Sequence, residues 1–138
     1  MTNMAGYSGT PLWKKLGYAT GTRALVVGAP AAYKKLLAFP PEVKVTWLTR
    51  SGRGMKFVHL FASRLSSLQK RLSTLRRAIA PDGVVWVSWP KKASGVPTDI
   101  TEDRIRDIAL PMGFVDIKVC AVDETWSGLK LMIRKTER

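Results

Sequence analysis

Cysteine and histidine are nearly absent from the 138-residue sequence, in which Cys120 and His59 are the only residues of their kinds. A single cysteine excludes an internal disulfide framework, and one residue of each type excludes a metal site built from several of them. No apolar run reaches the roughly 18 residues that a membrane-spanning helix needs. Residues 1–10 also lack a basic segment followed by an apolar one, so a secretory signal is not expected. These absences predict a cytoplasmic protein.

Acidic residues are scarce and unevenly placed. The chain has 23 Lys and Arg against 10 Asp and Glu, a formal net charge of +13. Glu42 is the only acidic residue before Asp82, so the positive charge is concentrated in the first 81 residues. A surface with a sustained positive potential attracts anions. The charge favours an anionic small molecule, an acidic protein or a nucleic acid as the partner, although a solubilising basic surface explains it equally well.

Apolar runs of strand length alternate with segments of helical periodicity. The clearest helix spans residues 63–80, where one apolar stripe is formed by Leu65, Leu68, Leu72, Leu75 and Ile79. Strands are expected at 23–28, 43–48, 56–61 and 84–89, and two more, at 115–122 and 129–134, would form a hairpin. Hydrophobic residues make up 46% of the chain, which is enough for a packed core.

Capping residues mark two further helix starts. Thr10 before Pro11 predicts the start of a short helix that Gly17 ends. Asp99, with Glu102 three residues later, has the spacing of a capping box and predicts the start of another helix.

The predicted element order defines the fold class. Strands that alternate with helices form a doubly wound α/β sheet that is mostly parallel, and the terminal hairpin inserts one antiparallel strand. That combination is the architecture of S-adenosylmethionine-dependent methyltransferases, a Rossmann-like fold, here trimmed to fewer strands. We therefore expect a flexible arm over residues 1–9 and a single Rossmann-like domain over residues 10–138 with a C-terminal antiparallel hairpin.

Ligands of such sheets bind beyond the carboxyl ends of the parallel strands. Gly28 and Pro30 follow the first strand, where a dinucleotide or adenosylmethionine site usually has several glycines. Thr49 and Arg50 follow the second strand, where an acidic residue would hold ribose hydroxyls. A cation there repels a sulfonium and suits a phosphate. The sequence therefore predicts no cofactor, with S-adenosylmethionine as the alternative, and it predicts Gly28 and Arg50 as ligand contacts.

Two loops at the same edge carry the other candidate groups. They provide Lys91, Lys92, Ser94 and Gly95 after the fourth strand, and Asp123, Glu124 and Trp126 in the hairpin. Lysines and amides beside a helix start can hold an anion, and a carboxylate beside a lysine can act as a general acid–base pair. A solvated loop, and turn residues that pair with the lysines, are equally good explanations. No catalytic residue is assigned and no metal site is expected.

His59 alternates with Phe57 and Phe61 along a strand, which predicts that its side chain lies in the core. Cys120 lies within a strand, where a buried, inert thiol is expected. The five tryptophans could stack on bases beside a basic groove, but two of them fit strand patterns and no nucleic-acid-binding motif accompanies them.

Six segments carry distinctive patterns: YSGTPL (7–12), KKLG (14–17), APDG (80–83), WPKKASGV (89–96), TDITE (98–102) and VCAVDETWSGLK (119–130). In these segments the chain resembles a bacterial family known only as domain of unknown function 3052. The resemblance covers nearly the whole chain and implies a small bacterial cytoplasmic protein without an assigned activity. Two of the segments coincide with the two loops at the carboxyl edge, which supports that edge as the functional site.

The sequence thus favours a non-catalytic or degenerate methyltransferase-like domain that binds an anionic ligand or partner at the carboxyl edge of the sheet. The alternatives are an S-adenosylmethionine-dependent methyltransferase and a basic nucleic-acid-binding module. Binding of S-adenosylmethionine separates the first two, and salt-dependent binding to oligonucleotides would favour the third.

Overall fold

One sheet organises the chain, of which the computed structural model describes residues 9–138. Within these residues its strands are β1 (Arg23–Val27), β2 (Thr46–Trp47), β3 (Met55–Phe61), β4 (Ile79–Pro90), β5 (Phe114–Ala121) and β6 (Trp126–Ile133). Their order in the sheet is β2-β1-β3-β4-β6-β5. β1 to β4 are parallel to one another, whereas β6 lies antiparallel between β4 and β5. The predicted fold class is therefore confirmed, including the single antiparallel strand.

Helices cover both faces of the sheet. In the described part of the chain they are α1 (Leu12–Leu16), α2 (Tyr33–Leu37), α3 (Leu65–Ala78) and α4 (Glu102–Ala109). α3 and α4 lie on one face, where Leu68 and Leu72 belong to the same buried cluster as Val58 and Leu60 of β3. α1 and α2 lie on the other face, against the alternate side chains of β3. Because both faces of β3 are covered, almost every residue of this strand is buried.

The connection from β2 to β3 is a seven-residue loop, residues 48–54, without a helix. β2 and β3 lie parallel to β1 on its two sides, so this loop returns from the carboxyl edge to the amino edge of the sheet. Seven extended residues reach about 23 Å, which is enough for that path. On the face that α3 covers, β1 is therefore bordered by a loop and by α3, and an open groove remains between them.

Several element ends differ from those predicted. α3 ends at Ala78, and Ile79, predicted as the last residue of the helical stripe, has extended backbone (φ −71°, ψ 155°) and begins β4. α1 begins at Leu12 and has Pro11 at its N-cap, so Thr10 is not the capping residue. β2 contains two residues instead of the predicted six, because only these two pair with β1.

The capping box predicted for α4 does not form. Thr101 is the N-cap residue, and its Oγ1 accepts a hydrogen bond from the amide of Arg104 (3.2 Å). Asp99 instead accepts a hydrogen bond from the amide of Leu65 (2.7 Å) at the start of α3. Asp99 thus joins the loop before α4 to the first turn of the neighbouring helix.

The arm predicted for residues 1–9 lies, apart from Gly9, outside the described residues. Among residues 9–138 no helix is long and apolar enough to cross a membrane.

Candidate functional site

A groove opens beside the carboxyl half of β1, on the face of the sheet that α3 covers. We call it the rim groove, and it is lined by residues 25–28, 48–51 and 60 and by residues 70, 71, 74 and 75 of α3. Its volume is about 540 Å³, which lies in the range of small-molecule sites. β1 stands between β2 and β3, so the chain turns in opposite directions on its two sides. The rim groove therefore lies at the switch point where doubly wound sheets bind their ligands.

Gly28 brings the loop after β1 close to β3. Its φ of +74° lies in the left-handed region, and a Cβ at this position would lie 2.8 Å from the carbonyl oxygen of Phe61. Any other residue would be strained both by its backbone conformation and by this contact. Gly28 is itself exposed, so the loop presents bare backbone at the edge of the rim groove, where a ligand can approach closely.

The polar groups of the rim groove are cationic or neutral. Arg50, Lys70 and Arg71 line it, and no carboxylate is among its lining residues. The hydroxyl of Thr49 has no hydrogen-bond partner within residues 9–138 and lies at the same edge. The floor is formed by aliphatic side chains of β1 and β3. This combination suits a ligand with an apolar ring, hydroxyl groups and an anionic group.

The two predicted binding loops lie side by side at the carboxyl edge. β4 and β5 are both antiparallel to β6, so their exits point to the same edge. The Lys91 amide donates to the carbonyl oxygen of Thr125 (2.7 Å), and Lys91 Nζ donates to the carbonyl oxygen of Asp123 (2.7 Å). The lysine therefore contacts the backbone of the hairpin loop instead of a carboxylate.

The carboxylate and the hydroxyl predicted for ligand binding are engaged inside their own loops. Asp123 Oδ1 accepts hydrogen bonds from the amides of Thr125 (2.8 Å) and Trp126 (2.7 Å). Ser94 Oγ donates to the carbonyl oxygen of Lys91 (2.7 Å). These contacts fix the shapes of the two loops and account for the residue types without a ligand.

The remaining predicted residues of these loops lie elsewhere. Lys92, Gly95 and Glu124 are exposed. Trp126 begins β6, and its ring packs edge-on against Phe61 with 5.1 Å between the ring centroids. None of the loop residues lines the rim groove, whereas the other two predicted contacts, after β1 and β2, both do. Anion binding by the two loops stays a prediction.

A buried chain of hydrogen bonds through His59 was not foreseen. Tyr18 and Tyr33 share a hydrogen bond between their hydroxyls (2.7 Å), Tyr33 Oη lies 2.8 Å from His59 Nδ1, and His59 Nε2 lies 2.7 Å from Ser88 Oγ. His59 and Ser88 have no exposed surface, so the prediction that His59 lies in the core is confirmed. Burial lowers the pKa of His59 to about 3, so its imidazole is neutral at pH 7. His59 does not line the rim groove.

Solved structures with the same architecture identify the fold, whereas no protein-family model and no curated protein sequence matches the chain. A SAM-dependent methyltransferase from Aquifex aeolicus superposes with a TM-score of 0.64 at 17% identity, over 87% of this chain and 86% of that chain. The chain has the fold of S-adenosylmethionine-dependent methyltransferases. The resemblance to domain of unknown function 3052 stays a prediction.

Two further structures agree with this fold. A TehB-like SAM-dependent methyltransferase from Corynebacterium glutamicum gives a TM-score of 0.54 at 10% identity, over 94% of this chain and 91% of that chain. The magnesium protoporphyrin IX methyltransferase from Synechocystis, with bound SAM, gives 0.56 at 13% identity, over 88% of this chain and 72% of that chain. At these identities the likeness shows the fold and not the activity.

The prediction that the protein takes no cofactor is corrected by these comparisons, because the similar structures are S-adenosylmethionine-dependent enzymes. That prediction rested on the single glycine before Pro30 and on Thr49 and Arg50, yet Thr49 and Arg50 line a groove whose size, apolar floor and bare backbone at Gly28 fit an adenosyl group. The hydroxyl is suited to ribose, and the cations are suited to the carboxylate of the methionine part. One feature departs from the usual pattern, since no carboxylate lines the groove to hold the ribose hydroxyls.

Proposed function

We propose that the protein is an S-adenosylmethionine-dependent methyltransferase whose cofactor site is the rim groove. The observation that carries the proposal is the position of this open groove at the β1/β3 switch point of a sheet that contains antiparallel β6. When bound, S-adenosylmethionine supplies an electrophilic methyl group on a sulfonium, which a nucleophilic atom of the substrate accepts.

The chain's own residues would bind and orient the cofactor. The backbone at Gly28 allows close approach, and the hydroxyl of Thr49 can hydrogen-bond a ribose hydroxyl. Arg50, Lys70 and Arg71 can pair with the methionyl carboxylate, which directs that end of the molecule toward the cations.

Isothermal titration calorimetry with S-adenosylmethionine and S-adenosylhomocysteine tests the site. Thr74 is exposed on α3 and lines the rim groove, so Thr74→Trp should fill the groove without disturbing the core. Gln69 is exposed on the same helix and does not line the groove, which makes Gln69→Trp the matched control. We expect saturable binding by the unmodified protein and by the control, and at least a tenfold weaker affinity for Thr74→Trp. Equal effects of the two tryptophans, with both variants folded by circular dichroism, would contradict the assigned site.

A second candidate function is a non-catalytic domain that holds an anion in the same groove. It is favoured by one observation, the three cations and the missing carboxylate where ribose would be held. Titration with inorganic phosphate distinguishes the two functions. Saturation by phosphate, without saturation by S-adenosylmethionine, would favour the non-catalytic domain over the methyltransferase.

A further inference from the structure

A second groove lies at the opposite, amino edge of the sheet. We call it the amino-edge groove, and it is lined by residues 17, 20–23, 48, 50–57 and 84. Its volume is about 840 Å³, larger than that of the rim groove. Arg23 and Met55 are the first residues of β1 and β3, so this groove lies at the start of both strands. Along β1, five residue steps of about 3.3 Å separate Arg23 from Gly28, a distance of about 17 Å.

The charges in the amino-edge groove are all positive. Arg23, Arg50, Arg53 and Lys56 line it, all four are exposed, and no carboxylate is among the lining residues. Lys56 Nζ lies 3.6 Å from a carboxylate oxygen of Asp82, but both side chains are more than half exposed. The three arginines have no ion-pair partner within residues 9–138. Because an exposed ion pair is weak, the groove keeps a strong positive potential.

The β2–β3 loop adds backbone donors beside these cations. The amides of residues 50–53 donate to no backbone carbonyl of the described chain. Gly52 and Gly54 have open space where a side chain would be. The loop is fixed at one end, since the amide of Gly54 donates to the carbonyl oxygen of Ala78 (2.7 Å). Guanidinium groups and unpaired amides are the donors that phosphate oxygens accept from in nucleic-acid complexes.

The positive surface is longer than a single phosphate group. Leu48, Arg50 and Ser51 line both grooves, so the surface continues from the amino edge to Lys70 and Arg71 in the rim groove. Along the axis of a double helix the phosphates of one strand advance by 3.4 Å for each base pair, so about 17 Å of axis corresponds to about five base pairs. A small phosphorylated molecule would occupy only a part of this length.

Base stacking does not explain the amino-edge groove. Phe57 is the aromatic residue among its lining residues, and only 6% of its surface is exposed. Proteins that bind single strands without sequence preference usually offer exposed aromatic rings to the bases. Contacts limited to phosphates favour a double helix, in which the bases are already stacked.

We propose that the amino-edge groove binds the phosphate backbone of a double-stranded nucleic acid without reading its sequence. The proposal does not rest on methyl transfer, because Arg23, Arg53 and Lys56 line the amino-edge groove alone.

Fluorescence anisotropy with a labelled 20-base-pair DNA duplex, titrated with the full chain at 50 to 200 mM KCl, tests the proposal. The groove variant carries Arg23→Gln, Arg53→Gln and Lys56→Gln. The matched control loses the same charge at three exposed lysines that do not line this groove, in Lys35→Gln, Lys118→Gln and Lys135→Gln. Each phosphate contact contributes about 0.9 to the slope of log K against log salt, so the groove variant should flatten that slope by about 2.7. We also expect at least tenfold weaker binding at 50 mM KCl, and a change of less than twofold for the control.

Four outcomes would overturn the proposal. Equal losses in the two triple variants would show general attraction to the net charge. Tighter binding of an acidic polyglutamate peptide than of the duplex, abolished in the groove variant, would show an acidic protein as the partner. Absence of duplex binding at 50 mM KCl, while S-adenosylmethionine still binds, would refute this proposal and leave the cofactor site intact. If circular dichroism shows the groove variant unfolded, Arg53→Gln alone should flatten the slope by about 0.9, and an unchanged slope would refute the assignment.

Discussion

His59 should make the protein lose stability in mild acid. Burial lowers the pKa of its imidazole to about 3 in the folded protein, against an ordinary value of 6.5. Between these values the unfolded chain takes up a proton that the folded protein does not, so stability is lost as the pH falls from 6.5 toward 3. Each pH unit in this window costs about 1.4 kcal/mol, so at pH 4.5 the loss is about 2.7 kcal/mol. That is a large part of the 5–15 kcal/mol by which proteins of this size are stable.

Urea unfolding at pH 7.5 and pH 4.5 measures this loss when His59→Gln is studied in parallel. Glutamine does not titrate and keeps groups that can hydrogen-bond the hydroxyls of Tyr33 and Ser88. Carboxylates that titrate over the same range do so in both proteins, so the difference between the two unfolding free energies isolates the histidine. We expect the unfolding free energy of the wild-type protein, relative to that of His59→Gln, to be about 2.7 kcal/mol lower at pH 4.5 than at pH 7.5. A shift below about 0.7 kcal/mol, half of one pH unit's cost, would refute the argument that the folded imidazole stays neutral.

Three further substitutions test the packing, the loop contact and the switch-point glycine by chemical unfolding. Leu72→Ala should cost about 2–5 kcal/mol because the side chain is fully buried, whereas exposed Lys70→Ala should change stability by less than about 0.5 kcal/mol; similar losses would mean that the buried face of α3 is wrongly assigned. Lys91→Met keeps the aliphatic chain but removes the bond to the hairpin backbone, and should cost about 1 kcal/mol; no loss would show that this bond does not hold the loops together. Gly28→Ala should cost more than Gly21→Ala, since both have positive φ but only at Gly28 would a Cβ meet a carbonyl oxygen, at 2.8 Å; equal losses would contradict the close approach of that loop to β3.

The sheet could be predicted because its determinants are local. The apolar runs of β1, β3 and β4 and the leucine stripe of α3 are each visible in one segment of sequence. Ile79 shows the limit of such reasoning, since it continues the spacing of the stripe by four residues although its backbone is already extended. The cap at Asp99 was misplaced for a related reason. Its partner, the amide of Leu65, is 34 residues away in sequence, and residue spacing does not report such a contact.

The candidate site could be predicted only in part. Gly28 and Arg50 follow the first and second strands, and topology alone brings them to the rim groove. The groove itself exists because no helix connects β2 to β3. It is also lined by side chains of α3, whose place in the groove depends on how the helix packs on the sheet. The two hydrogen-bonded partners of His59 come from two other segments of the chain, so the alternation that predicted its burial could not name Tyr33 or Ser88.

The position of β6 has a consequence for synthesis on the ribosome. β6 is the last of the described strands in sequence, yet it lies in the interior of the sheet between β4 and β5. Until it leaves the ribosome, β4 has an unpaired edge that carries the apolar residues Val85 and Val87, and β5 has no strand to pair with. An edge of this kind is prone to pair with other chains. A nascent chain stalled before Trp126 would therefore expose the unpaired edge of β4 to pairing with other chains.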